Sequence, residues 1–116
     1  MSQGLEIARA ATYPYGVACA QRALGRIAFA RDELAQADTH LNDALQTFRS
    51  MEARFEIART WMALAELAHR RGEGEATTTR VAGAHRMFMD LRVPHYVALT
   101  EALAGRLGVQ AATMTV

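Results

Sequence analysis

The sequence predicts an all-α protein, an antiparallel helix-hairpin solenoid of about six helices, and three observations lead to this fold class. The chain of 116 residues matches itself when residue 15 is aligned with residue 55. Apolar residues recur at the i, i+3, i+4, i+7 spacing of one helix face, and residues of high helix propensity dominate. Because each repeat holds two helices, neighbouring repeats are expected to stack into a solenoid.

The internal repeat is clearest between segments 15–33 and 55–73, and a third copy starts at residue 95. Alanine matches carry little weight, since alanine is the most frequent residue type of the chain. The other matches preserve aromatic, aliphatic, glycine and proline positions. They are Tyr15/Phe55, Val17/Ile57, Leu24/Leu64, Ile27/Leu67 and, two periods apart, Pro14/Pro94, Val17/Val97 and Gly25/Gly105.

Sequence signals define the first four predicted helices. Residues 1–11 align with 41–51, so the first helix is predicted at 2–11. The second, at 14–31, begins at Pro14, where a proline costs no hydrogen bond, and ends before Asp32. Apolar stripes of helical period predict the third and fourth helices, at 34–51 and 54–71.

The last two helices follow turn-forming residues. Gly72 and Gly74 separate the fourth helix from a fifth at 75–90, and Pro94 begins a sixth at 94–108. Together these elements predict one repeat domain over 1–116. Its parts are the end of a partial repeat (1–11), repeat 1 (14–51), repeat 2 (54–90), a terminal helix (94–108) and a frayed tail (109–116).

The order of small and large apolar residues within each helix pair resembles the tetratricopeptide repeat. Small residues let neighbouring helices approach closely, and large ones fill the space between them. Repeat 1 supplies Leu24, Gly25, Ala28, Leu34, Ala37, Leu41 and Ala44. Repeat 2 supplies Trp61, Leu64, Ala65, Ala68, Gly74, Thr77, Val81 and Ala84.

Two departures from that family stand out. The repeat, from residue 15 to residue 55, is longer than the family's usual period by most of a helical turn in each helix. In this it is similar to the long repeats in sensor regions of bacterial signalling ATPases, nucleotide cyclases and transcription regulators. In repeat 2, Gly74 and Thr77 replace an apolar and a small residue, which predicts a looser turn there.

The phase of the repeat leaves half-repeats at both ends, and a repeat without its neighbour exposes apolar surface. The sixth helix carries Val97, Leu99, Ala102, Leu103 and Leu107, which are apolar on more than one face. Two explanations stay open: the chain is a fragment of a longer solenoid, or its ends pair with another copy. We expect a homo-oligomer built on these ends.

Composition excludes several classes of chemistry. All 13 basic residues are arginine, so neither a Walker-type phosphate loop nor a Schiff-base lysine is available. The serines are Ser2 and Ser50, in no nucleophile motif, and the four histidines have no metal-ligand spacing. Cys19 is expected to be a packing residue. We therefore predict no enzyme activity, no cofactor and no metal site.

Charge and the N-terminal sequence bear on the partners and the location of the protein. The net charge is +1, and Arg and acidic residues balance in both halves, so nucleic-acid binding is not expected. Glu6 and Arg9 interrupt the N-terminal apolar stretch, and no apolar stretch is long enough for a membrane span. The expected location is the cytoplasm. The preference for Arg and Ala suggests a bacterial genome rich in G and C.

The resemblance implies that the first helix of each repeat lines a concave groove. The groove residues transferred by alignment are Arg22, Arg26, Phe29, Arg59, Met62, Glu66, Arg70 and Arg106, with Cys19, His69, Leu99 and Ala102 at neighbouring positions. This predicts a non-catalytic scaffold module that binds an acidic or C-terminal peptide, or a partner domain. Two alternatives stay open: the arginines pair internally and bind nothing, or the domain senses a small ligand or peptide and regulates an attached or partner effector.

Overall fold

The computed structural model describes residues 13–111, and this part of the chain is helical apart from short connections. We number its helices in chain order, and the all-α prediction is confirmed. They are α1 (Pro14–Ala30), α2 (Leu34–Ser50), α3 (Arg54–Arg70), α4 (Gly74–Leu91) and α5 (Pro94–Leu107). The helix predicted at 2–11 and the tail beyond residue 111 lie outside the described residues.

The ends of the first four helices recur at a regular spacing, which is half of the sequence repeat. Asp32, Glu52, Gly72 and Arg92 all adopt positive φ, between 55° and 75°. At each of these ends the next residue donates its backbone N–H to a carbonyl five residues back, such as Glu33 N to Ala28 O at 2.8 Å. This is the Schellman geometry, which satisfies carbonyls that the helix leaves free.

The described chain divides into two compact units at residues 53 and 54, the boundary between the predicted repeats 1 and 2. In the first unit, α1 and α2 pack as a hairpin, because only three residues connect them. A Cβ on Gly25 would lie 2.7 Å from Cγ of Leu41. The two helices are therefore so close at this point that only glycine fits without a shift of Leu41. Phe48 is fully buried, and its ring meets Tyr15 edge-on at 6.0 Å.

The second unit repeats this hairpin with α3 and α4 and adds α5, which contacts both. Ala58, Ala84 and Phe88 form one buried cluster between α3 and α4. A second cluster joins Ala65 and Val81 to Leu103 and Ala104 of α5. Small residues on α3 therefore receive large residues from α4, as Gly25 receives Leu41 in the first hairpin.

The turn before α4 corrects one expectation. Glu73 N donates to Ala68 O at 2.9 Å, which matches the turn before α2, so this turn is no looser. Thr77 is fully buried, and its hydroxyl donates to Glu73 O at 2.8 Å. Thr77 can thus replace the small residue expected at this buried position, because its hydroxyl is hydrogen-bonded within its own helix. Across the described helices, none combines the length and apolar character of a membrane span.

Candidate binding surface

On α1, the structure presents the predicted groove residues unequally. Arg22 is buried, and its guanidinium carbon lies 5.1 Å from the centroid of the Phe48 ring. Its charge is therefore used inside the first hairpin as a cation–π contact. Arg26 is exposed and Phe29 is half-buried. Of the two predicted groove arginines on α1, Arg26 is the one exposed to solvent.

On α3, Arg59 is held in place by three neighbours. Its guanidinium carbon lies 5.8 Å from the ring centroids of both Phe55 and Tyr96. Its Nη1 lies 3.4 Å from Oε1 of Glu56, one turn earlier, and the Arg59 side chain is 33% exposed. The two rings pack edge-to-face at 4.9 Å. Arg59 is thus a partly desolvated cation with a restricted position.

Further along the same face of α3 lie Met62 and Glu66. Met62 is half-buried and packs against both apolar clusters of the second unit. Glu66 Oε2 lies 3.6 Å from Nη2 of Arg106 on α5, and both side chains are substantially exposed. We call Arg59, Met62, Glu66 and Arg106 the α3–α5 surface. Arg70 is exposed at the end of α3, where a cation complements the helix dipole.

The ion pair of the α3–α5 surface is weak. Exposed pairs at such distances contribute about 0–1 kcal/mol, because water solvates both charges and the side chains lose entropy when they pair. Arg106 can therefore exchange Glu66 for a carboxylate of a bound molecule at little cost. Arg59 and Arg106 do pair internally, as one of the alternatives expected. In both pairs, however, part of the arginine side chain stays exposed to solvent.

Two histidines form hydrogen bonds between neighbouring helices. His85 is buried, and its Nε2 lies 3.0 Å from Oε2 of Glu101 on α5. His40 and Gln21 are hydrogen-bonded at 3.2 Å between α2 and α1. Within residues 13–111, no three His, Cys, Asp or Glu side chains lie close enough together to hold a metal ion.

Two residues of the site were missed by the sequence reasoning. Phe55 and Tyr96 position Arg59, and both lie in the first turn of their helices. The alignment of Tyr15 with Phe55 was a usable signal for an aromatic residue at each helix start. In the third copy, His95 takes that position and Tyr96 follows it, so alignment by identity alone does not find the second ring.

Comparison with known proteins adds no relative. No family model, no curated protein and no solved structure matches the chain. The resemblance to tetratricopeptide repeats therefore stays a prediction from the sequence pattern.

Proposed function

We propose that this chain is a non-catalytic protein-interaction module that binds an acidic or C-terminal peptide segment at the α3–α5 surface. The observation that supports this function is the environment of Arg59. Two aromatic rings and Glu56 fix the position of this cation, while a third of its side chain faces solvent. A cation that is ordered before binding loses less entropy when it meets a carboxylate.

The neighbours of Arg59 suit the same kind of ligand. Arginine presents its donors as a planar fork that matches both oxygens of a carboxylate. Met62 offers a flexible apolar contact beside that fork, and thioether side chains adapt to varied partners. Arg106 supplies a second cation once its exposed contact with Glu66 opens. An acidic segment with an apolar residue is therefore the expected ligand.

A binding assay with three matched peptides tests the proposal. The probes are an Asp- and Glu-rich dodecapeptide with a free C-terminus, its C-terminally amidated form, and its Asn and Gln counterpart. We expect the acidic peptides to bind the full chain about tenfold more tightly than the neutral one, because each charge-assisted hydrogen bond is worth about 1.5–3 kcal/mol. The amidated form separates recognition of the terminal carboxylate from recognition of acidic side chains.

Matched charge reversals locate the site. Arg59→Glu should remove the preference for acidic peptides, whereas Arg86→Glu, at an exposed position of α4, should preserve it. Arg59→Gln removes the cation without adding a charge and guards against a loss caused by misfolding, which circular dichroism would detect. Equal weakening by both charge reversals, or the absence of binding by every probe, would contradict the proposal.

A small-ligand sensor is the second candidate, and a cavity favours it. In the second unit a cavity of about 420 Å³ is lined mainly by apolar side chains from the end of α4 and the start of α5. This volume lies within the usual range for small-molecule sites. A thermal-shift screen with metabolites separates the two functions, since a ligand at about 100 times its Kd adds about 2.7 kcal/mol of stability.

A further inference from the structure

Two contacts between α3 and α5 locate the cations of the α3–α5 surface along these helices. At one end, the guanidinium carbon of Arg59 on α3 lies 5.8 Å from the ring centroid of Tyr96 on α5. At the other end, Oε2 of Glu66 on α3 lies 3.6 Å from Nη2 of Arg106 on α5. The two arginines therefore mark separate points of one surface, and a ligand that meets both has to span the distance between them.

The sequence positions of these contacts set that distance. On α3 the contacts are seven residues apart, at Arg59 and Glu66, and on α5 they are ten residues apart, at Tyr96 and Arg106. Because an α-helix rises about 1.5 Å per residue, the two separations correspond to about 10 Å and about 15 Å along the helix axes. The two guanidinium groups are thus about 10–15 Å apart along the surface.

One end of this span is fixed more firmly than the other. Arg59 is held by Glu56 and by two aromatic rings, so its guanidinium has a restricted position. The Arg106 side chain is 66% exposed, and its exposed ion pair with Glu66 is a weak restraint. Arg59 therefore sets the register of a bound peptide, and Arg106 adjusts to a second carboxylate nearby.

The side chains between the two arginines are apolar. Met62 follows Arg59 by one helical turn and packs against both apolar clusters of the second unit. On α5, Leu99 and Ala102 precede Arg106 by two turns and by one turn, so they share its face of the helix. A ligand side chain midway between two bound carboxylates therefore meets apolar groups.

An extended peptide matches both the distance and this order of side chains. Its residues advance about 3.3 Å each and side chains i, i+2 and i+4 point to one side, so acidic residues i and i+4 are about 13 Å apart. Side chain i+2 then lies over Met62. Adjacent acidic residues are only about 3.3 Å apart and point to opposite sides, so they do not meet both arginines. A helical ligand would need a separation of roughly seven to ten residues, and isolated helices of that length are marginal in water.

We infer that the peptide bound at the α3–α5 surface is an extended segment with the pattern acidic–x–apolar–x–acidic, an inference that rests on the proposed function. One carboxylate pairs with Arg59, the apolar side chain contacts Met62, and the second carboxylate replaces Glu66 at Arg106. The spacing of the acidic residues, and not only their number, then sets the affinity.

Three isomeric dodecapeptides test this spacing. Each contains two glutamates, one leucine two positions after the first glutamate, and serine elsewhere, with an N-terminal fluorescein and an amidated C-terminus. The second glutamate follows the first by four positions, by one or by seven, so the three probes have the same composition and charge. In titrations with the full chain followed by fluorescence anisotropy, we expect the four-position isomer to bind about tenfold more tightly than the other two.

Variants of the protein connect the preference to the two arginines. Arg106→Gln should make the four-position isomer bind no more tightly than the adjacent one, because only Arg59 then remains to meet a carboxylate. Arg86→Gln, at an exposed position of α4, is the matched control and should preserve the preference of about tenfold.

The possible results separate the spacing from the site itself. Equal affinity of the three isomers for the wild-type chain, with all binding lost in Arg59→Glu, would overturn the spacing and leave the acidic-peptide site standing. Tightest binding by the seven-position isomer would also overturn it, since the ligand would then be helical. Absence of binding by every isomer would contradict the proposed function together with the spacing.

Discussion

At the scale of single residues, small side chains decide how closely the helices of each hairpin pack. Gly25, Ala58 and Ala65 lie where a facing helix inserts a larger side chain. Protein interiors are packed as densely as organic crystals, so even one added methyl group is felt at such positions. Part of the high alanine content of this chain therefore has a packing role.

The glycines at equivalent positions provide a matched test of this packing. Gly25→Ala should lower the free energy of unfolding by about 1–2 kcal/mol, because the new Cβ would lie 2.7 Å from Leu41 and overpack the hairpin. Gly105→Ala should raise it by about 0.5 kcal/mol, since the site is open and alanine favours helix. Urea unfolding measures both. Equal effects of the two changes would contradict the packing account.

The buried phenylalanine of the second unit should contribute strongly to stability. Phe88 is fully buried and contacts the rings of Phe55 and Tyr96 at 5.7 and 5.1 Å. Phe88→Ala should cost about 3–5 kcal/mol, since it leaves a cavity as well as removing buried area. Met89→Ala, at the neighbouring position that is 55% exposed, should cost at most about 0.5 kcal/mol in the same denaturation experiment. A small loss for Phe88→Ala would show that this core is not tightly packed.

At the scale of elements, the left-handed residues at helix ends should respond to glycine. Glu52 adopts φ 55°, which costs an L-residue about 1–2 kcal/mol. Glu52→Gly should therefore be about 1 kcal/mol more stable than Glu52→Ala, because both remove the side chain but glycine accepts positive φ. Thermal unfolding of the two variants compares them directly. If alanine were the more stable, the assigned helix end would be wrong.

The helices were predictable because two independent signals coincide in this sequence. The apolar spacing located each helix, and Pro14, Pro94 and the glycines near residue 73 marked the boundaries. Predicted and observed ends of the described helices differ by one residue at most, as for 54–71 against Arg54–Arg70. The regular spacing of the left-handed residues was not predictable, because Gly72 is the only glycine among the four and the other three carry side chains that do not favour positive φ.

The candidate site was less predictable than the fold. Alignment placed Arg22 and Arg59 on the same kind of surface, but Arg22 is buried against Phe48 while Arg59 is partly open. Whether an arginine faces solvent depends on which ring lies within reach, and this is a tertiary property that helical spacing does not encode. The pairing of Glu66 with Arg106, which lie one sequence repeat apart, is likewise a tertiary contact that helical spacing does not encode.

At the scale of the whole molecule, the near balance of positive and negative charge leads us to expect no nucleic-acid partner. The 13 arginines are offset by 12 acidic residues, and several cations are already paired, such as Arg59 and Arg106. We expect no retardation of a labelled DNA duplex or single-stranded RNA by the full chain at physiological salt, because few phosphates would be neutralised. Salt-sensitive retardation in a gel-shift experiment would contradict this expectation and favour a nucleic-acid partner.

We expect the chain to bind an acidic peptide at the α3–α5 surface. Two-dimensional amide NMR spectra of the full chain, recorded while the acidic dodecapeptide is added, test it most directly. We expect the largest shift changes to fall on α3 and α5 around Arg59, Met62 and Arg106, and we expect the Asn and Gln counterpart not to produce them. Unchanged spectra, or changes confined to residues away from this surface, would contradict it.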